Sequence, residues 1–192
     1  MRGVRSANVI AAVTLCSLGL VAHVVSAEKP LAKPIEPEKL VVNVDNGILS
    51  INTKAISLPG NRGAVVELLG EPSRVLNKAN TIFVWDELGI LIHENPDTKK
   101  IEQVSVALGL LKYEFWPKKS FRGKLAVDGA VITADTTIEA INRDKKGKKF
   151  TATGFGLHSS VSYEKVEVVT NRAKGMEVKP DGPIAEFLIG VK

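Results

Sequence analysis

Cysteine is almost missing from this chain of 192 residues: Cys16 stands alone, so no internal disulfide can form and a cysteine-built zinc site is excluded. Histidine is nearly as scarce, with only His23, His93 and His158, which confines the commonest general base to few places. Aromatic residues make up 5% of the chain, and both tryptophans fall in two short stretches around Trp85 and Trp116. Beyond residue 25 there is no long apolar run, which excludes a multi-span membrane protein. No Gly-x-Ser-x-Gly elbow and no phosphate loop occurs. Gly154-Phe155-Gly156 lacks the third glycine and the strand-to-helix setting of a dinucleotide fingerprint. What is present, 44% hydrophobic and 24% charged residues, is the composition of a folded globular protein rather than of a disordered or collagenous one.

The N-terminus reads as an address. Arg2 and Arg5 precede an apolar stretch over 9–25, and Val25-Ser26-Ala27 is a small-residue cleavage pattern before Glu28. Residues 1–27 are therefore expected to be a signal peptide cleaved after Ala27, making the protein periplasmic or secreted and leaving no transmembrane span. Cys16 sits in the middle of the apolar stretch without a lipobox, so lipidation is not expected. Residues 28–39, EKPLAKPIEPEK, read as a proline-rich, semi-rigid linker.

The formal net charge of +5 falls by two if Arg2 and Arg5 leave with the signal peptide. The excess is local, in Lys118, Lys119, Arg122 and Lys124 and in the run from Arg143 to Lys149. Such runs are ordinarily solvated loops, with an anion-binding patch as the alternative. Nucleic acid is not expected as a partner, because no aromatics are interleaved with these lysines.

A degenerate internal repeat organises the rest. Residues 47–57 align without a gap on 123–133, and both read as two short strands around a tight turn, Asn52-Thr53 or Asp128-Gly129. A short amphipathic helix follows each, with Val65, Val66, Leu68 and Leu69 in the first half and Ile138, Ala140 and Ile141 in the second; Asp135 or Thr136 is read as the second helix's cap. Strands are expected over 81–85, 89–93 and 101–108, over 149–153, 156–162 and 165–170, and over the closing segment 184–191. The expected fold class is α+β: two tandem related subdomains, 40–112 and 121–192, joined by a connector at 113–120, each a small antiparallel sheet with one short helix. Units of this size are marginally stable alone, so the halves should pack together.

Chemistry is hard to place on these residues. His158 with Ser159 and Ser160 is explained as well by an alternating strand as by a catalytic group, and His93-Glu94 would supply only two metal ligands. Asp86-Glu87 is the one acidic pair beside an aromatic, but neighbours in a strand face opposite ways and a turn role for Asp86 explains it better. The expectation is a protein that is not an enzyme and needs no cofactor or metal. The candidate partner-binding residues are Trp85, Asp86 and Glu87 in the first half and Trp116, Lys118 and Lys119 in the connector, as aromatic and charged groups suited to an interface.

Three segments carry a resemblance: Leu-Gly-Glu-Pro-Ser-Arg at 69–74, Val-Trp-Asp-Glu-Leu-Gly-Ile at 84–90, and Phe-Arg-Gly-Lys-Leu-Ala-Val-Asp-Gly at 121–129. Over 44–142 the chain resembles an uncharacterised bacterial family of secreted domains with a Trp-Asp-Glu-Leu-Gly hallmark. It also looks, more distantly, like envelope modules of the β-lactamase-inhibitor-like and outer-membrane-assembly lipoprotein kind. The resemblance implies a fold and brings no activity with it. The reading that results is a non-catalytic periplasmic module binding another protein of the periplasm or envelope, as an inhibitor or immunity-type protein against a toxin or hydrolase. The alternative is an envelope structural or assembly factor.

Overall fold

The computed structural model describes residues 35–154, 157–179 and 182–192. The expected signal peptide at 1–27, the linker residues 28–34, and Phe155, Gly156, Pro180 and Asp181 lie outside the described residues. After a single 3-10 turn at Pro37–Lys39, three short strands form a meander: β1 (Val41–Asp45), β2 (Ile48–Ile51) and β3 (Lys54–Ile56). Both of its turns have two successive positive φ values, 47° and 80° at Asn46-Gly47 and 48° and 71° at Asn52-Thr53. That is the turn whose twist matches the twist of the strands it joins. Asn61 then caps α1 (Arg62–Leu69), its side chain accepting from the Gly63 N–H at 2.8 Å, and Gly70 ends the helix ahead of Pro72. A second meander follows, of β4 (Arg74–Asn77), β5 (Thr81–Trp85), β6 (Ile90–Glu94) and β7 (Ile101–Ala107).

The second half repeats this order. The hairpin of β8 (Lys124–Val127) and β9 (Ala130–Ile132) turns at Asp128-Gly129, with φ of 44° and 90°. α2 (Ile138–Asp144) is capped by Thr137, whose hydroxyl accepts from the Ala140 N–H at 3.1 Å, one residue beyond the caps expected from the sequence. Then come β10 (Thr151–Thr153), β11 (His158–Ser162), β12 (Val166–Lys174), the short β13 (Glu177–Val178) and β14 (Ile184–Val191).

The strands do not stay in their own halves. One sheet has the order β3-β2-β1-β8-β9, and the other β10-β11-β12-β14-β7-β6-β5-β4, with β13 paired to β12. β1 is antiparallel to β2 and parallel to β8, so the two hairpins run in opposite senses on either side of it. In the larger sheet β7 and β14, the last strands of the two meanders, pair antiparallel at its centre. The strand order therefore reads the same from either edge.

This overturns the expected α+β class with one small antiparallel sheet and one helix per subdomain. Among the described residues the chain is mostly β, with two sheets assembled from both halves and two short helices. The reason is edge pairing. A four-stranded meander ends on an unpaired edge, which satisfies its backbone groups best by joining the matching edge of the other half. At eight and seven residues the helices are too short to cover a sheet. They bury Val65, Leu69, Ile138 and Ile141 in the core that the sheets share, with Ala64, Val66 and Leu68 of α1 partly buried against it.

Period-two alternation sorts the larger sheet's faces. Phe83, Trp85, Ile90, Ile92, Val104, Val106, Val168, Phe187 and Ile189 point to the core shared with Val42, Val44, Leu49, Ile51, Leu125 and Val127 of the smaller sheet. Ile82, Val84, Leu91, Ala107, Ala173 and Ala185 point the other way and form a second, smaller cluster with Leu111 and Trp116. Phe187, fully buried and opposite Val106 and Thr170, sits at the seam of the two halves. Phe187→Ala should cost about 4 kcal/mol in denaturant unfolding, the usual cost of emptying a core aromatic site, and the loss should appear in one cooperative transition rather than in one half.

Candidate functional site

The residues singled out from the sequence converge on one place, the turn between β5 and β6 and the connector beside it. β5 ends in Trp85, and the chain turns through Asp86, Glu87 and Leu88 to Gly89, with the Leu88 and Gly89 N–H groups donating to the Trp85 carbonyl. Gly89 is required here: its φ is 68°, and a Cβ would stand 2.3 Å from the Phe121 nitrogen, so any side chain would push the connector away. The Trp85 indole lies in the main core and donates to the Gly70 carbonyl at 2.9 Å, tying the end of α1 to the sheet.

Asp86 is 4% exposed and fully engaged. Arg74 on β4 donates through Nε and Nη2 to both its carboxylate oxygens at 3.0 to 3.2 Å, and the Lys118 N–H donates to Oδ1 at 3.1 Å. Its own N–H donates to the Ser73 hydroxyl, and its carbonyl accepts from the Lys119 N–H. Arg74 completes the clamp by donating to the Glu114 and Trp116 carbonyls. Burial pushes the Asp86 carboxyl up. The Arg74 and Lys118 hydrogen bonds and charges outweigh that and hold it below the usual carboxylate range.

The clamp straps the connector onto the outer face of the large sheet. Trp116 is 4% exposed, packs in the smaller cluster and donates to the Gly109 carbonyl at 2.8 Å. Tyr113 remains outside, stacked on Phe115 with ring centroids 5.2 Å apart, and the Phe115 edge meets His93. Of the six candidate binding residues, then, Trp85, Asp86 and Trp116 are buried. The side chains of Glu87, Lys118 and Lys119 face solvent, with Lys119 paired to Glu87 at 3.0 Å. Arg74, which holds the whole arrangement, stands out in the sequence only as the end of the Leu-Gly-Glu-Pro-Ser-Arg segment. Nothing local marks it, because its partners lie 12 to 42 positions away.

Two further polar clusters absorb most of the remaining chemistry. At the β8–β9 turn Asp128 accepts from the Asn46 N–H, the Tyr163 hydroxyl and Lys145 Nζ, at 2.6, 2.6 and 2.5 Å. Burial raises the Asp128 carboxyl, but these donors outweigh it and hold it low; burial and Asp128 push the Tyr163 hydroxyl well above its ordinary value. The Lys145 side chain is entirely buried and also donates to the Lys146 and Lys148 carbonyls. Lys149 donates to the Asn142 and Lys145 carbonyls, and Lys148 to that of Ser162. Lys149 therefore caps the carbonyls at the end of α2, where cations are favoured, while Lys145 and Lys148 tie down the loop after it and the end of β11.

The third cluster crosses the outer face of the large sheet. His158 Nδ1 and Asn171 Oδ1 are 2.6 Å apart, and Asn171 Nδ2 donates to Glu186 at 2.6 Å. Ser159 points to the opposite face from His158. Burial pushes the Glu186 carboxyl up, against hydrogen bonds from Ser105 and Asn171 and the charge of His158. Among the described residues no group of three or more His, Cys, Asp or Glu is placed to hold a metal ion, and no helix is long and apolar enough to cross a membrane.

Two outcomes follow. Asp86→Asn leaves the Arg74 guanidinium without its counter-charge and should cost about 3 kcal/mol, with Trp116 emission shifting red as the strap loosens. For Glu186 the folded carboxyl titrates above the free value of 4.5, so folding takes up a proton between the two. The stability it contributes is present below the free value and is lost as pH rises through the folded one. Glu186→Gln should therefore gain on the parent protein as pH is raised from about 4 to neutral in a series of urea unfolding curves.

Residues 41–142, more than half of the chain, match a family described as a domain of unknown function (DUF7738), and the chain belongs to that family. The match covers the clamp, the strap and the stretch on which the sequence resemblance rests, and it ends within α2. No curated protein and no solved structure matches the chain.

Proposed function

We propose that this member of the DUF7738 family is exported and acts as a non-catalytic module that binds another protein of the periplasm or envelope, in the manner of an inhibitor or immunity protein. Export rests on the signal-peptide pattern at 1–27. The binding role rests on one observation: the strap backbone is pinned by Asp86, Arg74 and Trp116, while Tyr113, Lys118 and Lys119 project from it, and Glu87 from the adjoining turn, into solvent. Side chains presented from a backbone that is already ordered lose less entropy on docking than those of a free loop. An exposed tyrosine flanked by charges of both signs is interface chemistry.

Binding is favoured over catalysis because three acids whose titration is shifted by burial and hydrogen bonds, Asp86 in this site and Asp128 and Glu186 in the other clusters, are closed in by protein donors. The test is cross-linked capture from the protein's own periplasm with the parent chain and with Lys118→Glu/Lys119→Glu. One stoichiometric partner should be recovered, at least tenfold depleted in the double variant. The Lys119–Glu87 pair is exposed on both sides and contributes under about 1 kcal/mol, whereas Lys118 Nζ lies 3.6 Å from the buried Asp86 carboxylate; a Lys119→Glu single variant, whose thermal midpoint should hardly move, should therefore show depletion in the same direction. Equal recovery by both chains, or no partner, would overturn the reading, and assembly factors among the captured proteins would replace it with an envelope-assembly role.

A further inference from the structure

The strap covers only one end of the large sheet's outer face. Along the uncovered part, one row of side chains crosses four strands: Glu167 on β12, Gly190 on β14, Gln103 on β7 and His93 on β6. The glycine is the anomaly. In the interior of a strand it costs about 0.5 to 1 kcal/mol relative to alanine, and a glycine there marks a bulge, a tight bend or the close approach of a ligand or another backbone. No register shift falls at Gly190, and its φ lies outside the left-handed region. A Cβ would meet nothing nearer than Leu188 Cδ2 at 3.5 Å, an ordinary contact. Neither the backbone nor crowding demands a glycine. Gly190 is itself buried, and its effect is a shallow gap in the row, flanked by the Leu188 and Gln103 side chains.

That gap opens into a trough of about 470 Å³ whose lining includes Asn80, His93, Gln103, Glu167, Val169 and Leu188, within the size range of small-molecule clefts. Val169 and Leu188 are neighbours on adjacent strands and make an apolar floor. The walls hydrogen-bond in both directions: the Asn80 amide donates and accepts, the Gln103 amide does so with the hydrogen left after donating to Ser105 Oγ at 3.2 Å, Glu167 accepts beside its bond from the Ser162 hydroxyl, and a neutral imidazole does both. Burial holds His93 toward that neutral form, and the Phe115 edge, 6.2 Å away and nearly perpendicular, limits the tilt of its ring. Two carboxylates, Glu167 and Glu102, stand against one cation, Lys192, so the lining carries no excess positive charge to draw an anion. A peptide strand has no free backbone edge to add to here, because β12, β14, β7 and β6 are each paired on both sides. Groups that both donate and accept, set above an apolar floor, match a ring bearing hydroxyls on its rim and C–H groups on its face.

We propose that this trough is a saccharide-binding subsite, in which a neutral sugar ring seats over Gly190 between Glu167 and Gln103. The site borders the strap, whose Phe115 packs against His93, but its lining holds none of the strap's own residues, and it goes beyond the protein-binding reading.

The test is an amide and histidine side-chain NMR titration of the full chain with chitotriose, cellotriose and maltotriose, each to millimolar concentration, with trialanine as the peptide control. At least one trisaccharide should give saturable shifts centred on Gly190, Gln103 and His93. Gly190→Leu, which fills the gap, should weaken that binding at least tenfold. Gln103→Leu, a half-buried change that leaves the backbone pairing intact, should do so as well and keeps the test decisive if the first variant folds poorly. No saturable shift with any of the three sugars would overturn the proposal. So would shifts unchanged in both variants, or trialanine binding at these residues with the sugars inert.

Discussion

The seam between β7 and β14 joins five residue pairs, from Gln103 opposite Gly190 to Ala107 opposite Glu186, and the rest of the architecture follows from it. Each half ends its meander on an open edge, and neither edge is covered by a helix. Pairing the two edges removes both liabilities and makes a sheet of eight strands broad enough to need a second layer. That layer is the five-stranded sheet, where the parallel pair of β1 and β8 joins the two hairpins. The inner face of the seam carries Val104, Val106, Phe187 and Ile189, all fully buried, so the joint between the halves is also the middle of the core.

Buried charge fastens the parts that the core does not reach. Asp86 holds the connector to the turn after β5, and Asp128 holds the β1–β2 turn, the end of α2 and the β11–β12 turn together. In each case one carboxylate collects backbone N–H groups from remote segments and a cation that balances it. Such nodes lose much when one partner is removed, because the remaining charge is left desolvated. They also take titratable groups out of use. Asp86, Asp128 and Lys145, which look reactive in the sequence, serve here as struts.

Much of the local structure was legible. Thr81–Trp85 and Ile184–Val191 have the bounds expected from alternation, and both helices lie where their apolar residues predicted. The two expected hairpin turns have the left-handed residues that such turns need. β1 and β4 were not expected, although Asn46-Gly47 is as strong a turn signal as any in the chain. The repeat was read from Gly47 onward, and the strand before it has no counterpart in the second half. In the site, Asp86, Glu87, Lys118 and Lys119 were named as charged groups beside the two tryptophans, but Trp116, expected as a binding anchor, packs between the strap and the sheet.

What the sequence by itself determined is the series of strands, turns and caps, because period-two burial, turn glycines and capping side chains act between residues a few positions apart. Only the tertiary structure decided that the halves share their sheets, that Arg74 meets Asp86, and that Gly190 opens a trough rather than a bend. Those facts depend on which edges pair and which charges are buried together, and contacts between residues as far apart as Asn46 and Asp128 leave no periodic trace along the chain.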